Sequence, residues 1–279
     1  MITLQDIHAA RQIISNKLHR TPMVTSRILG ERLGLSVRLK AELLQKTGSF
    51  KPRGVLNKIA HLSPEEKRRG LIAVSAGNHA QAVAYVARLE NLRATVVMPE
   101  SAVVSKVQAT KEYGADVVLH GKMTDLFPKA LEIQRERGLT MIHPFDDSYV
   151  IAGQATIGLE ILEDAPDVET VIVSVGGGGL LAGIATAIKL QKPSVKIIGV
   201  EPEGAASMHR SLKEGKAVRL DKVETIADGL AAPFAGELAY QHVKNYVDEI
   251  VLVRDEEITK AMWFILERCK FLTEPAGAA

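Results

Sequence analysis

The chain has 279 residues, enough for one large domain or two modest ones with buried cores. Apolar residues make up 46% and charged residues 24%, the profile of an ordinary globular protein. Lys plus Arg number 35 and Asp plus Glu 33, and the charges are interspersed, so the expected partner is a small molecule and not nucleic acid.

The single cysteine, Cys269, excludes an internal disulfide and fits a reducing, cytoplasmic setting. The N-terminus (MITLQDIHAARQ) is polar and lacks the apolar stretch of a signal peptide. No apolar run reaches membrane-spanning length, so no membrane association is expected.

Taken in order, Thr3 and Asp6 form a capping-box-like start, followed by Leu4, Ile7, Ile14 and Leu18 at helical spacing. Val37–Leu39 reads as a short strand. Ser63, Pro64 and Glu66 mark a second helix start. A β/α block follows, with strands at Leu71–Val74, Ala94–Met98 and Val117–Leu119. Its helices are expected at His79–Leu89, Val103–Tyr113 and Leu126–Arg137, the last two closed by Gly114 and Gly138. Met141–Ile142 ends this block.

A second block starts with a helix near Gln154–Leu162. Thr170–Val175 is a nearly continuous apolar strand of the kind a buried parallel sheet requires. A glycine run and a helix over Leu180–Leu190 follow, then strands at Lys196–Val200 and Glu249–Val253 and a helix over Asp255–Lys270. Two such blocks imply two open twisted sheets with flanking helices and a cleft between them, an α/β fold.

Three segments carry chemistry. Ser174–Gly183 (SVGGGGLLAG) places four glycines between a strand and a helix. Glycine permits positive φ and leaves room for close approach. The unpaired N–H groups of the next helical turn, with the positive end of its dipole, make an anion site suited to phosphate. The same segment satisfies the relaxed dinucleotide pattern through Gly177, Gly179 and Ala182, with Glu201 about twenty residues on, so an NAD-dependent dehydrogenase is the rival reading.

Ser49–Gly54 (SFKPRG) sets Lys51 between an aromatic residue and a proline, where partial desolvation would free its amine as a nucleophile. Ser75–Gln81 (SAGNHAQ) offers N–H groups, hydroxyl and amide side chains and a helix start, a setting able to hold a carboxylate.

Together these segments resemble the fold-type II pyridoxal-phosphate enzymes, the group built like the tryptophan synthase β subunit. Within it the match is to the threonine dehydratase and serine racemase branch. The resemblance extends to VMPESAVVSK, HPFDDSYVIAGQATIGLEI, TIADGLA and TEPAGA, and so covers essentially the whole chain.

It implies a discontinuous large domain (1–65 plus 149–279), a small substrate-loop domain (66–148) and a homodimer. Lys51 would form the Schiff base and then take the Cα proton, with Phe50 packed near the ring and Asn78 on the cofactor's 3′ oxygen. Gly176, Gly177, Gly178, Gly179 and Leu180 would bind the phosphate, and Gly229 and Glu274 would lie near the ring. Ser75, Gly77, Asn78 and His79 would line the site of a small hydroxy amino acid. The implied reaction is dehydration and deamination of L-threonine or L-serine to a 2-oxo acid and ammonia.

Three departures qualify the match. Ala76 stands where serine-racemising members carry a second serine, which favours elimination over racemisation. The family's divalent-metal site would fall on Glu201, Ala205 and Ser207, where one carboxylate is thin ligation. The family continues past EPAGA with a Ser or Cys facing the pyridine nitrogen, and no residue before Ala279 takes that role. A non-catalytic or C-terminally short relative is therefore the third reading.

Overall fold

The computed structural model describes residues 1–279. Helix α1 (Leu4–Ile14) starts where expected: Thr3 Oγ1 accepts from the Asp6 amide at 3.3 Å, and Asp6 Oδ2 accepts from the Thr3 amide at 2.8 Å. Strand β1 (Met23–Thr25), helix α2 (Arg27–Leu33) and strand β2 (Arg38–Lys40) follow, the two strands pairing antiparallel. Helix α3 (Lys51–Ala60) begins at the lysine of SFKPRG, and Pro52 sits in its first turn, where its missing N–H costs nothing. Helix α4 (Pro64–Arg69) carries the Ser63–Glu66 capping box.

The first parallel sheet is built from β3 (Leu71–Val74), helix α5 (Asn78–Leu89), β4 (Ala94–Met98), helix α6 (Val104–Glu112), β5 (Asp116–Leu119), helix α7 (Met123–Arg137) and β6 (Thr140–Met141). Strand order is β5-β4-β3-β6, with Leu71 opposite both Ala94 and Thr140. Helix α7 begins three residues before its expected start, since Asp125 Oδ2 accepts from the Lys122 amide at 2.9 Å and caps it there.

The second parallel sheet follows helix α8 (Ser148–Asp164). It contains β7 (Thr170–Ser174), helix α9 (Gly179–Lys189), β8 (Lys196–Pro202), helices α10 (Ser207–Glu214) and α11 (Glu237–Tyr246), and β9 (Glu249–Val253). Helices α12 (Asp255–Phe264) and α13 (Pro275–Ala278) complete the chain. Helix α8 begins six residues before Gln154 because Asp147 Oδ1 accepts from the amides of Tyr149 (2.8 Å) and Val150 (3.1 Å).

Two expectations are corrected here. Strand β7 is not buried on both faces: it is the edge of a three-stranded sheet, and Ile172 is 65% exposed while Val171 and Val173 enter the core. The helix expected over Asp255–Lys270 stops at Phe264 and passes into a π-turn over Ile265–Cys269, ended by Lys270 at φ 62°. Cys269 Sγ lies 3.2 Å from Ser26 Oγ. No helix is long and apolar enough to cross a membrane.

Each parallel sheet has its own core. One gathers Ile151, Val171, Leu181, Ile184, Ile197 and Tyr240, the other Leu71, Val83, Val96 and Met98. Helix α3 is buried on both sides. Its Val55, Leu56 and Ile59 join the second core, while Gly54 crosses α8 at Gly153. A Cβ on Gly153 would lie 2.5 Å from the Arg53 carbonyl oxygen, so only glycine permits this approach.

The crossing is pinned by Arg53, which is fully buried. Its guanidinium donates to Glu42 (2.9 Å from Nε, 2.9 Å from Nη2) and to Glu160 (2.6 Å from Nη1, 3.0 Å from Nη2). Lys40 Nζ adds a 2.7 Å pair to Glu160. Forked, fully paired contacts are what make buried charge tolerable.

Candidate active site

Lys51 is the first residue of α3. Its ammonium donates to the Pro144 carbonyl oxygen at 2.8 Å and sits 5.1 Å from the centroid of the Phe50 ring. Burial lowers its pKa to about 8, with Glu274 pulling weakly the other way. Its position at the helix start also disfavours a positive charge.

From Pro144 the chain leads directly to the glycine loop. The Phe145 ring fills the space that a Cβ on Gly177 would take, at 2.5 Å, and the Phe145 carbonyl oxygen lies 2.6 Å from a Cβ on Gly179. Gly178 has φ 95°, open only to glycine without strain, and its missing Cβ makes way for Met208. The glycines thus admit protein neighbours at close range. The room expected for a ligand at the loop is taken by Phe145 and Met208. What the loop offers a ligand is the first turn of α9, whose N–H groups have no intrahelical partners. Leu180 continues that turn, half-buried against the core.

The other wall is reached through Gly176. A Cβ there would lie 3.4 Å from the Gly229 carbonyl oxygen, and a Cβ on Gly229 would lie 3.5 Å from Glu274 Oε1. Glu274 in turn accepts from Asn78 Nδ2 at 2.6 Å. Burial raises the Glu274 pKa, with the Asn78 hydrogen bond opposing. Lys51, Asn78, Gly229, Glu274 and the glycine loop therefore form one linked set around the cleft.

The remaining predicted residues divide. Ser75 Oγ accepts from the Gly77 amide at 3.1 Å, so that N–H already has a partner. The His79 imidazole faces inward: Nε2 meets the Ile142 carbonyl at 2.9 Å, and burial, reinforced by Lys51, lowers its pKa to about 3. It is a neutral anchor, and only its backbone faces the loop. Glu201 is fully buried, its oxygens accepting from the amides of Met208 (2.9 Å) and His209 (2.8 Å) at the start of α10. Burial still pushes its carboxyl up to about 7. A carboxylate spent this way cannot hold a ribose, which removes the residue on which the dinucleotide reading depends. Ala205 and Ser207 are buried beside it, and no group of three or more His, Cys, Asp or Glu side chains forms a metal cluster.

Pro144 and Phe145 were not singled out from the sequence, whereas Asp146 and Asp147, as neighbours, were expected to point apart. Pro144 and Phe145 lie in the HPFDD segment, but their contacts with Lys51 and the glycines are long-range. Asp146 and Asp147 point apart, each capping a helix: Asp146 accepts from the Glu237 amide at 3.0 Å at the start of α11.

The set fits pyridoxal phosphate on its own chemistry. A half-buried amine with lowered pKa is held by Pro144, whose neighbour Phe145 packs on the glycines before a helix start, the Asn78 amide is held by Glu274, and Ser49 Oγ, buried before Lys51, has no partner. The pyridoxal-phosphate-dependent enzyme family matches residues 14–279.

The chain belongs to that family.

It is 52% identical to the L-threonine ammonia-lyase of Thermotoga maritima, over all of this chain and 70% of that protein. It is 49% identical to a catabolic L-threonine dehydratase of Staphylococcus aureus, over all of this chain and 81% of that protein. Among solved structures it resembles a processed threonine deaminase from Solanum lycopersicum (TM-score 0.93, 42% identity, 99% of this chain and 80% of that one). Maize serine racemase is also similar (TM-score 0.95, 38% identity, 98% and 83%). The fold is that of these enzymes, two α/β sheets with flanking helices.

Proposed function

We propose that this enzyme eliminates water from L-threonine, and from L-serine, and releases the corresponding 2-oxo acid and ammonia. The observation that carries this is the half-buried Lys51 amine, its pKa lowered to about 8, in a chain about half identical to threonine ammonia-lyases over its full length. When bound, pyridoxal phosphate supplies an aldehyde carbon for an amine and a ring that accepts the charge left at the substrate Cα.

The chain's residues provide the rest. The first-turn N–H groups after Gly176–Gly179 would hold the phosphate, and the Asn78 amide would hold the ring through its oxygen. Phe50 and Gly229 bound the ring. The Lys51 amine would hold the cofactor and would be the base for the Cα proton; its lowered pKa keeps a share of the free amine neutral in the cofactor-free chain. The Ser75–His79 loop receives the substrate carboxylate. Ala76 offers no second base for the opposite face of Cα, so D-serine formation from L-serine is expected to stay far below elimination.

The test is release of 2-oxobutanoate and ammonia from L-threonine by the chain loaded with pyridoxal phosphate. Lys51→Ala is expected to lower the rate at least about a hundredfold. A chain that binds the cofactor through Lys51 but turns over neither amino acid would make the non-catalytic relative the better reading. The proposal includes a large unit (1–65 plus 149–279), a small unit (66–148), a homodimer and a cytoplasmic setting. The single cysteine supports the last of these.

A further inference from the structure

The neighbourhood of the Ser75–His79 loop holds one cation that the proposed reaction does not use. Lys51 is the reacting amine, His79 is buried and neutral, Asn78 is neutral, and Glu274 and Asp228 are carboxyl groups. Lys106, on α6, remains. Its Nζ lies 3.5 Å from where a Cβ on Gly77 would stand, directly beside the loop. Across the cleft it pairs with Asp228, next to Gly229.

The two partners differ in exposure. The Lys106 side chain is 23% exposed and the Asp228 side chain 55%. Asp228 can therefore give up the ammonium and be rehydrated at little cost, since exposed ion pairs contribute little. An anion arriving at the loop would meet Lys106 in a drier setting, where a charged hydrogen bond counts for more.

We propose that Lys106 is a specificity-determining cation of this site: it pairs with the α-carboxylate of the amino acid held at the Ser75–His79 loop, and Asp228 keeps its ammonium in place beforehand. The inference rests on the amino-acid substrate proposed above. It makes the loop selective for a free carboxylate over an amide or ester, a preference that the neutral loop residues cannot supply by charge.

The test uses the chain loaded with pyridoxal phosphate, as wild type, Lys106→Met and Lys106→Arg. Binding of L-valine, which lacks the β-hydroxyl leaving group, and of L-valinamide, which also lacks the carboxylate, is read from the cofactor absorbance. Lys106→Met is expected to weaken L-valine about tenfold or more while leaving L-valinamide unchanged, and Lys106→Arg to restore most of the loss. With L-threonine, KM should rise by a similar factor and kcat should move much less. Equal weakening of both ligands, unchanged L-valine binding, or a wild type that does not favour L-valine would overturn the proposal. A wild type that binds L-valine but turns over neither threonine nor serine would overturn the proposed reaction and still leave the ligand comparison to judge Lys106.

Discussion

Burial of Lys51 sets a pH at which its amine becomes available. The lowered pKa of about 8 predicts that uptake of pyridoxal phosphate by the cofactor-free chain accelerates with a midpoint near that value and not near 10.5. Stopped-flow absorbance across pH 6 to 10 reads this directly; a midpoint above 10 would mean that the amine is solvated. Lys51, Asn78 and the glycines could be singled out in the sequence because the chemistry proposed for them resides in the local motif. The direction of the Lys51 shift was legible too, since an aromatic residue and a proline flank it. The inward turn of His79 and the capping role of Glu201 were not. Each depends on a carbonyl or amide brought up by packing, Ile142 for the one and Met208 with His209 for the other.

At the scale of elements, the site depends on α3 being held at one height against α8. Gly54→Ala would drive a Cβ to 2.7 Å from the Val150 carbonyl oxygen, and is expected to destabilise the chain by about 1–3 kcal/mol. Arg53→Met leaves Glu42 and Glu160 without their guanidinium, an expected loss of about 3–5 kcal/mol. Chemical denaturation of both variants checks these values, and a change below about 0.5 kcal/mol in either would remove the clamp from the account. This element was the least legible. SFKPRG alone assigns no element. It becomes a helix because Pro52 occupies the first turn and Gly54 is where two helices touch. Helix α8 was legible in its middle but not at its start, where the cap is Asp147, a residue whose neighbour Asp146 caps a different helix altogether.

Across the whole molecule, acid should loosen both halves together. His79 belongs to the four-stranded sheet's core and His242 to the other, where Thr186 Oγ1 meets its Nδ1 at 2.8 Å and the Ile2 amide donates to its Nε2 at 3.2 Å. Burial lowers their pKa values to about 3 and about 4. The unfolded chain binds protons on these rings near pH 6.5 and the folded chain does not, so their contribution is intact above that pH and is lost as pH falls toward 4. Melting temperature should drop over that range, and His242→Gln should flatten the drop; an identical profile for the variant would exclude His242.

At this scale the alternation of strands and helices made the fold class and the two parallel sheets legible. The strand order and the outward face of β7 were not, because a short apolar run does not report how many neighbours flank it. One consequence lies in the double burial of α3, which packs on the core of one sheet while crossing the helix that underlies the other. A hinge motion between the sheets would have to pass through the helix that begins at Lys51. Opening and closing would therefore change the dielectric surroundings of Lys51, coupling the electronic spectrum of an attached chromophore to the mechanical state of the enzyme.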